Sequence, residues 1–191
     1  MGAYGQMGLG GELTLDGRDR TRASTSGVAL TLVARTYPSI WDVGDAFGYV
    51  AGTASLFVSP WRPMKPTLAL RGGAKKVFGT YPFHEAAYLG GPETVRLGIE
   101  QRFGGDAYAH GNAEIRLALG RVVFVLPAEV GVSGLYDVGR VWLEGEESSR
   151  WHDVFGGGLW VAFLRPENVL SLAVAKSDER TGVYLSLGFA Y

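Results

Sequence analysis

Hydrophobic positions in this chain recur at every second residue. In the final stretch, GVYLSLGFAY, Val183, Leu185, Leu187, Phe189 and Tyr191 fall on one side, and Gly182, Ser186, Gly188 and Ala190 on the other. Successive side chains of a strand point to opposite faces, so this segment predicts a strand with one apolar and one small or polar face. The same period runs upstream. Met7, Leu9, Leu13 and Leu15 oppose Gln6, Glu12 and Thr14 within residues 3–15; Val28, Leu30 and Leu32 alternate with Thr31 and Arg35; Val50, Ala54, Leu56 and Val58 alternate with Thr53 and Ser55. Leu68 and Leu70 face away from Thr67 and Arg71; Ala113, Ile115, Leu117 and Leu119 oppose Asn112, Glu114 and Arg116; Val130, Val132, Tyr136 and Val138 oppose Ser133 and Asp137. Leu159, Val161 and Phe163, then Leu170, Leu172 and Val174, complete nine candidate strands, with no helical period among them. Each is about long enough to cross a thin hydrocarbon layer when tilted.

The face opposite the apolar one carries Glu12, Arg35, Arg71, Glu114, Arg116 and Asp137 at mid-strand positions. A soluble sandwich would give these residues to solvent, and a membrane barrel to its lumen. The joining segments favour the barrel. WRPMKP and RPEN are short, whereas YPSIWDVGD, WLEGEESSRWHD and residues 79–105 are longer, and short and long connections alternate at the two ends of outer-membrane barrels. Tyr37, Trp41, Trp61, Trp142, Trp151 and Tyr191 cluster near those ends, where interfacial aromatic girdles are expected. The expected fold is all-β: an antiparallel transmembrane β-barrel of outer-membrane type over residues 1–191, with eight to nine strands and a long extracellular or lumen-facing loop at residues 79–105.

Composition narrows the chemistry. The 29 glycines, 9 tyrosines, 9 phenylalanines and 5 tryptophans suit many short strands, tight backbone contacts and girdles, and argue against disorder. A net charge of −1 with both signs interspersed gives no field for a nucleic-acid partner. There is no cysteine for a disulfide or thiolate metal site. The longest uncharged stretch, residues 46–61, is interrupted by Gly48, Gly52, Thr53 and Ser55 and does not read as a spanning helix; the opening residues do not read as an export signal. His84, His110 and His152 are dispersed, and Ser133 in GVSGL lacks the strand-to-helix turn of a nucleophile elbow. Gly156, Gly157 and Gly158 precede no helix and are read as room for a bulge, or for the approach of an aromatic or of the inward loop. The expectation is a non-enzyme with no cofactor.

The runs GGPETVR, RFGGDAYAHGNAEIRL, GLYDVGRVW, WHDVFGGGLW and LSLGFAY, in that order, resemble the C-terminal half of the bacterial surface antigen family of BamA/TamA-like outer-membrane assembly and translocation barrels. The resemblance extends upstream through TLALRGGAKKVFGTYPFHEAAYLGG and covers most of the chain. It implies a barrel of sixteen strands with an extracellular loop folded into the lumen, where the arginine of a Val-Arg-Gly-aromatic motif pairs with wall acids. That arginine maps to Arg96, and the acids to Asp137 in YDVGR and Glu114 in NAEIR. The chain departs from the motif: it reads VRLG, with Leu97 in the glycine position and Gly98 in the aromatic one. A positive backbone dihedral would suit glycine and not leucine there.

The implied function is insertion or translocation of outer-membrane polypeptides in a Gram-negative outer membrane. The implied partners are outer-membrane lipid, unfolded outer-membrane polypeptides, and an assembly machinery that reads the C-terminal strand at Leu187, Phe189 and Tyr191. The alternative is a structural membrane anchor or small pore without assembly activity. Nine strands are too few for sixteen, which leaves a fragment, a protomer of a two-chain barrel, or a small barrel. The preferred expectation is an eight-stranded, self-closed monomer whose first segment is only partly a strand and whose long loop lies outside, since so small a barrel is filled by its own side chains. A dimer of half-barrels is the competitor.

Overall fold

The computed structural model describes residues 4–60, 66–123, 125–147 and 149–191. Trp61, most of the WRPMKP turn and the start of the first candidate strand at Ala3 lie outside the described residues. The strands are β1 (Leu9–Asp16), β2 (Gly27–Tyr37), β3 (Phe47–Val58), β4 (Thr67–Gly79), β5 (Ala87–Leu89), β6 (Phe103–Gly105), β7 (Ala107–Val123), β8 (Pro127–Trp142), β9 (His152–Phe163), β10 (Val169–Ser177) and β11 (Thr181–Leu187). Nine form one antiparallel sheet in the order β1-β2-β3-β4-β7-β8-β9-β10-β11, and β5 pairs with β6 in a separate two-stranded sheet. The nine match the nine alternating segments. The pair β5-β6 was not read from the sequence, because three-residue strands are too short to show a period.

Register carries each face across the sheet. Arg71 lies opposite Asn112, Asn112 opposite Asp137, and Asp137 opposite buried Val154, so polar positions of three successive strands share one row that continues into the apolar cluster on the fourth. The apolar rows point the other way. Leu13, Leu32, Leu68, Ile115, Leu159, Leu172, Leu185 and Leu187 are exposed, Leu187 at 82%, while Asp137 is 0% exposed. A soluble sheet encloses its apolar face; this one encloses Glu114, Arg116 and Asp137, leaves Glu12 and Arg35 near the β1 edge exposed, and turns its apolar face outward, the arrangement expected of strands with lipid on one side. Among the described residues no helix is long and apolar enough to cross a membrane.

The sheet curls around its polar face. Tyr191, just beyond β11, donates from its hydroxyl to the Ala69 carbonyl of β4 at 3.3 Å and packs near the Phe57 ring of β3. Strands far apart in the order therefore meet across the interior. Among the described residues closure is not reached: β1 pairs with β2 and β11 with β10, and no ladder joins β1 to β11. The eight-stranded self-closed monomer is thereby corrected. All eight residues of β1 pair with β2, so the count is nine, and the first and last strands run in the same direction.

Three further expectations change. Tyr37 is no girdle residue, because it is buried and stacks on Phe47 at 4.5 Å. Trp41, Trp142 and Trp151 are exposed, the last two edge to face at 6.2 Å. The glycines at 156–158 hold neither a bulge nor the loop; a Cβ on Gly156 or Gly158 would strike the main chain of β10, whereas the bulge lies between Ala118 and Gly120. A close aromatic approach occurs instead at Gly131, where a Cβ would enter the Trp160 ring. The third change concerns the chain end. Alternation predicts Phe189 and Tyr191 beside Leu187 on the apolar face, but β11 stops at Leu187. Gly188, at φ +110°, breaks the pleat, and its N–H donates to the Val169 carbonyl at 2.8 Å. Phe189 then packs edge to face on inward Trp160, and Tyr191 turns onto the enclosed face of the sheet.

Candidate functional site: an inward loop clamped to the wall

The connection between β4 and β7 folds back onto the enclosed face. A single 3-10 turn at Phe83–Glu85 and the β5-β6 pair give it internal hydrogen bonds. At its base Asp106 accepts from the Tyr81 hydroxyl and, at 2.6 Å, from the Glu144 N–H. The bond from Tyr81 holds the Asp106 carboxyl below its ordinary value, against the opposing effect of burial. Lys75 of β4 donates to the carbonyls of Glu85 and Ala86 at 2.9 and 3.1 Å.

Apolar side chains seat the loop. Leu89, Val95 and Leu97 join Leu135, Val154 and Ala175 of the wall in one buried cluster. Gly139 makes the approach possible, since a Cβ there would lie 2.7 Å from Val95 Cγ2 and 2.9 Å from Leu89 Cδ1. Gly139→Val is accordingly expected to lift the loop at a cost of about 1–3 kcal/mol. Faster proteolytic cleavage within residues 80–102 of the folded protein would show this; an unchanged cleavage rate would remove Gly139 from the seat.

Charge completes it. Arg96 is 4% exposed, and its Nε and Nη2 donate to Asp137 Oδ2 and Oδ1 at 2.6 and 2.7 Å, a two-pronged match of guanidinium to carboxylate. Its own N–H adds a third bond to Asp137 at 3.2 Å, and Nη1 reaches Glu114 Oε2 at 3.3 Å. Burial disfavours the Arg96 charge, but the Asp137 bond and the two carboxylate charges outweigh it and raise the pKa above the usual arginine value. The structure therefore brings together Arg96, Glu114 and Asp137. The Leu97 departure is also accommodated: Leu97 keeps an ordinary φ and is buried, and the positive dihedral moves one residue on to Gly98, at φ +81°. The Gly98 N–H donates to the Tyr184 hydroxyl of β11 at 2.7 Å.

Sequence reasoning left part of this network unassigned. Asn112 Nδ2 donates to the Thr94 carbonyl at 2.6 Å, while its Oδ1 accepts from Arg71 Nε and lies 3.0 Å from His110 Nδ1. Arg71 Nη2 reaches the Pro92 carbonyl at 3.0 Å. Their inward positions in the alternation were the available sign; the loop carbonyls that they hold carry none. Of the three C-terminal positions, Leu187 is outward and exposed, whereas Phe189 and Tyr191 lie inside.

No curated protein gives a significant match to the chain. A family model does: the Omp85 superfamily domain, over residues 2–190. With an all-β sheet, an apolar outer face and an arginine-clamped inward loop already in view, that match places the chain in the Omp85 superfamily.

Proposed function

We propose that this chain forms part of an outer-membrane β-barrel of the BamA/TamA type that inserts or translocates outer-membrane polypeptides, without covalent chemistry or a cofactor. The observation that carries the proposal is the seated loop, with Arg96 held by Asp137 and Glu114 on the enclosed wall of a sheet that is apolar outside. Outer-membrane lipid covers the outer face. The free edges of β1 and β11 are completed by further strands, because an unpaired backbone edge in hydrocarbon costs several kcal/mol per group. An assembly machinery reads the last strand through outward Leu187 and the segment that follows it.

One observation favours the anchor reading. Loop and terminal residues together occupy much of the enclosed face beside the wall, which suits a scaffold better than an open pore. Reconstitution separates the two. A urea-denatured small outer-membrane barrel added to vesicles containing the full protein should fold markedly faster than with empty vesicles. No acceleration by correctly inserted protein would leave the anchor.

A further inference from the structure

Two inner-wall arginines each hold two separate irregular segments at once. Arg116 of β7 is 3% exposed. Its Nε donates to Glu114 Oε1 at 2.8 Å, its Nη2 to the Tyr191 main-chain oxygen at 2.9 Å and its Nη1 to the Ser24 carbonyl at 3.5 Å, and its guanidinium lies 3.8 Å from the centre of the Phe189 ring. The other oxygen of Glu114 accepts from Arg96 of the loop. Arg71 repeats the pattern: Nη2 takes the Pro92 carbonyl of the loop, Nη1 takes the Ala190 carbonyl at 3.3 Å, and the guanidinium covers the Tyr191 ring at 4.6 Å. Between the loop at Pro92 and Arg96 and the end segment at Phe189 and Ala190 lies a void of only about 20 Å³. That is space for about one water, and with Arg96, Glu114 and Arg116 each at most 4% exposed, little water reaches the contact while both segments are seated.

We propose that the inward loop and residues 188–191 are seated as one unit, coupled through Arg71 and the Glu114–Arg116 pair, so that lifting the loop releases the chain end from the lumen. The physical reason is shared desolvation. Lifting the loop removes Pro92 from Arg71 and Arg96 from Glu114, and admits water to both guanidiniums. Hydrated guanidiniums hold carbonyls and aromatic faces less strongly than dry ones. The coupling is reciprocal, so release of the end segment must loosen the loop by the same factor. It does not depend on the assembly reading, since an anchor would carry the same device.

The chain has no cysteine, so single reporters are clean. In vesicle-reconstituted protein, Ala190→Cys reports the end segment and Val95→Cys the loop, each by its rate of reaction with a water-soluble thiol reagent. Arg96→Lys, which loses the two-pronged geometry, should speed labelling at Ala190→Cys by about tenfold, and Phe189→Ala should speed labelling at Val95→Cys by a similar factor. Gly139→Val, which displaces the loop with every charge in place, should also expose Ala190→Cys while the circular dichroism of the sheet is unchanged. The proposal is overturned if each change speeds labelling only in its own segment, or if Gly139→Val leaves Ala190→Cys protected.

Discussion

Replacing Arg96 with alanine is expected to destabilise the folded protein by about 3–5 kcal/mol, the cost of breaking a buried ion pair from one side. The size follows from what remains. Asp137, 0% exposed, loses both Arg96 side-chain donors and keeps, among the described residues, the N–H of residue 96, whereas Glu114 retains Arg116. Asp137→Asn should cost less, because Arg96 keeps Glu114 and the new amide stays polar. The double change should fall well short of the sum, since each single change already removes the shared bond. Unfolding by denaturant in a fixed detergent, for the two single variants and the double one, reads the coupling; a coupling energy near zero would reduce these residues to independently solvated charges.

A charge placed on the outer face should be almost as damaging, but only in a bilayer. Leu172, in the middle of β10, is exposed and paired between Leu159 and Leu185. In water, an arginine at such a position changes stability within about 0.5 kcal/mol. At the midplane of a membrane it costs about 2–4 kcal/mol. Leu172→Arg should therefore lower stability in lipid vesicles by that amount relative to Leu172→Ala. Equal stability of the two variants in vesicles would contradict the assignment of this face to lipid.

Both results turn on which face is enclosed, and here the legibility of the chain divides. All nine strands of the large sheet were readable, because alternation is a property of the backbone pleat and is written in adjacent residues. So were the inward positions of Arg71, Glu114, Arg116 and Asp137. The partnership of Arg96 with Asp137 came from family resemblance and not from period or spacing: the two lie 41 residues apart, and no local pattern relates a loop arginine to a strand carboxylate. The chain end shows the opposite failure. Alternation runs on through Phe189 and Tyr191 with the right residue types, yet Gly188 leaves the pleat, and Trp160 and Arg116 offer those rings a packed interior. Local pattern cannot register that competition.

By itself, then, the sequence determined the nine strands of the large sheet and their two faces, since each depends on the steric period of a few neighbouring residues. Tertiary structure alone decided the other features. The long loop went inside because Gly139 opened room for Val95 and Leu89. The positive dihedral moved to Gly98 because Leu97 had a cluster to join. The terminal aromatics turned inward because the curl of the sheet brought β3 and β4 across from the end of β11. Curl is a sum over nine twisted strands, and the side chains it brings together are distant in the chain; their energies of contact and desolvation exist only once the sheet has formed.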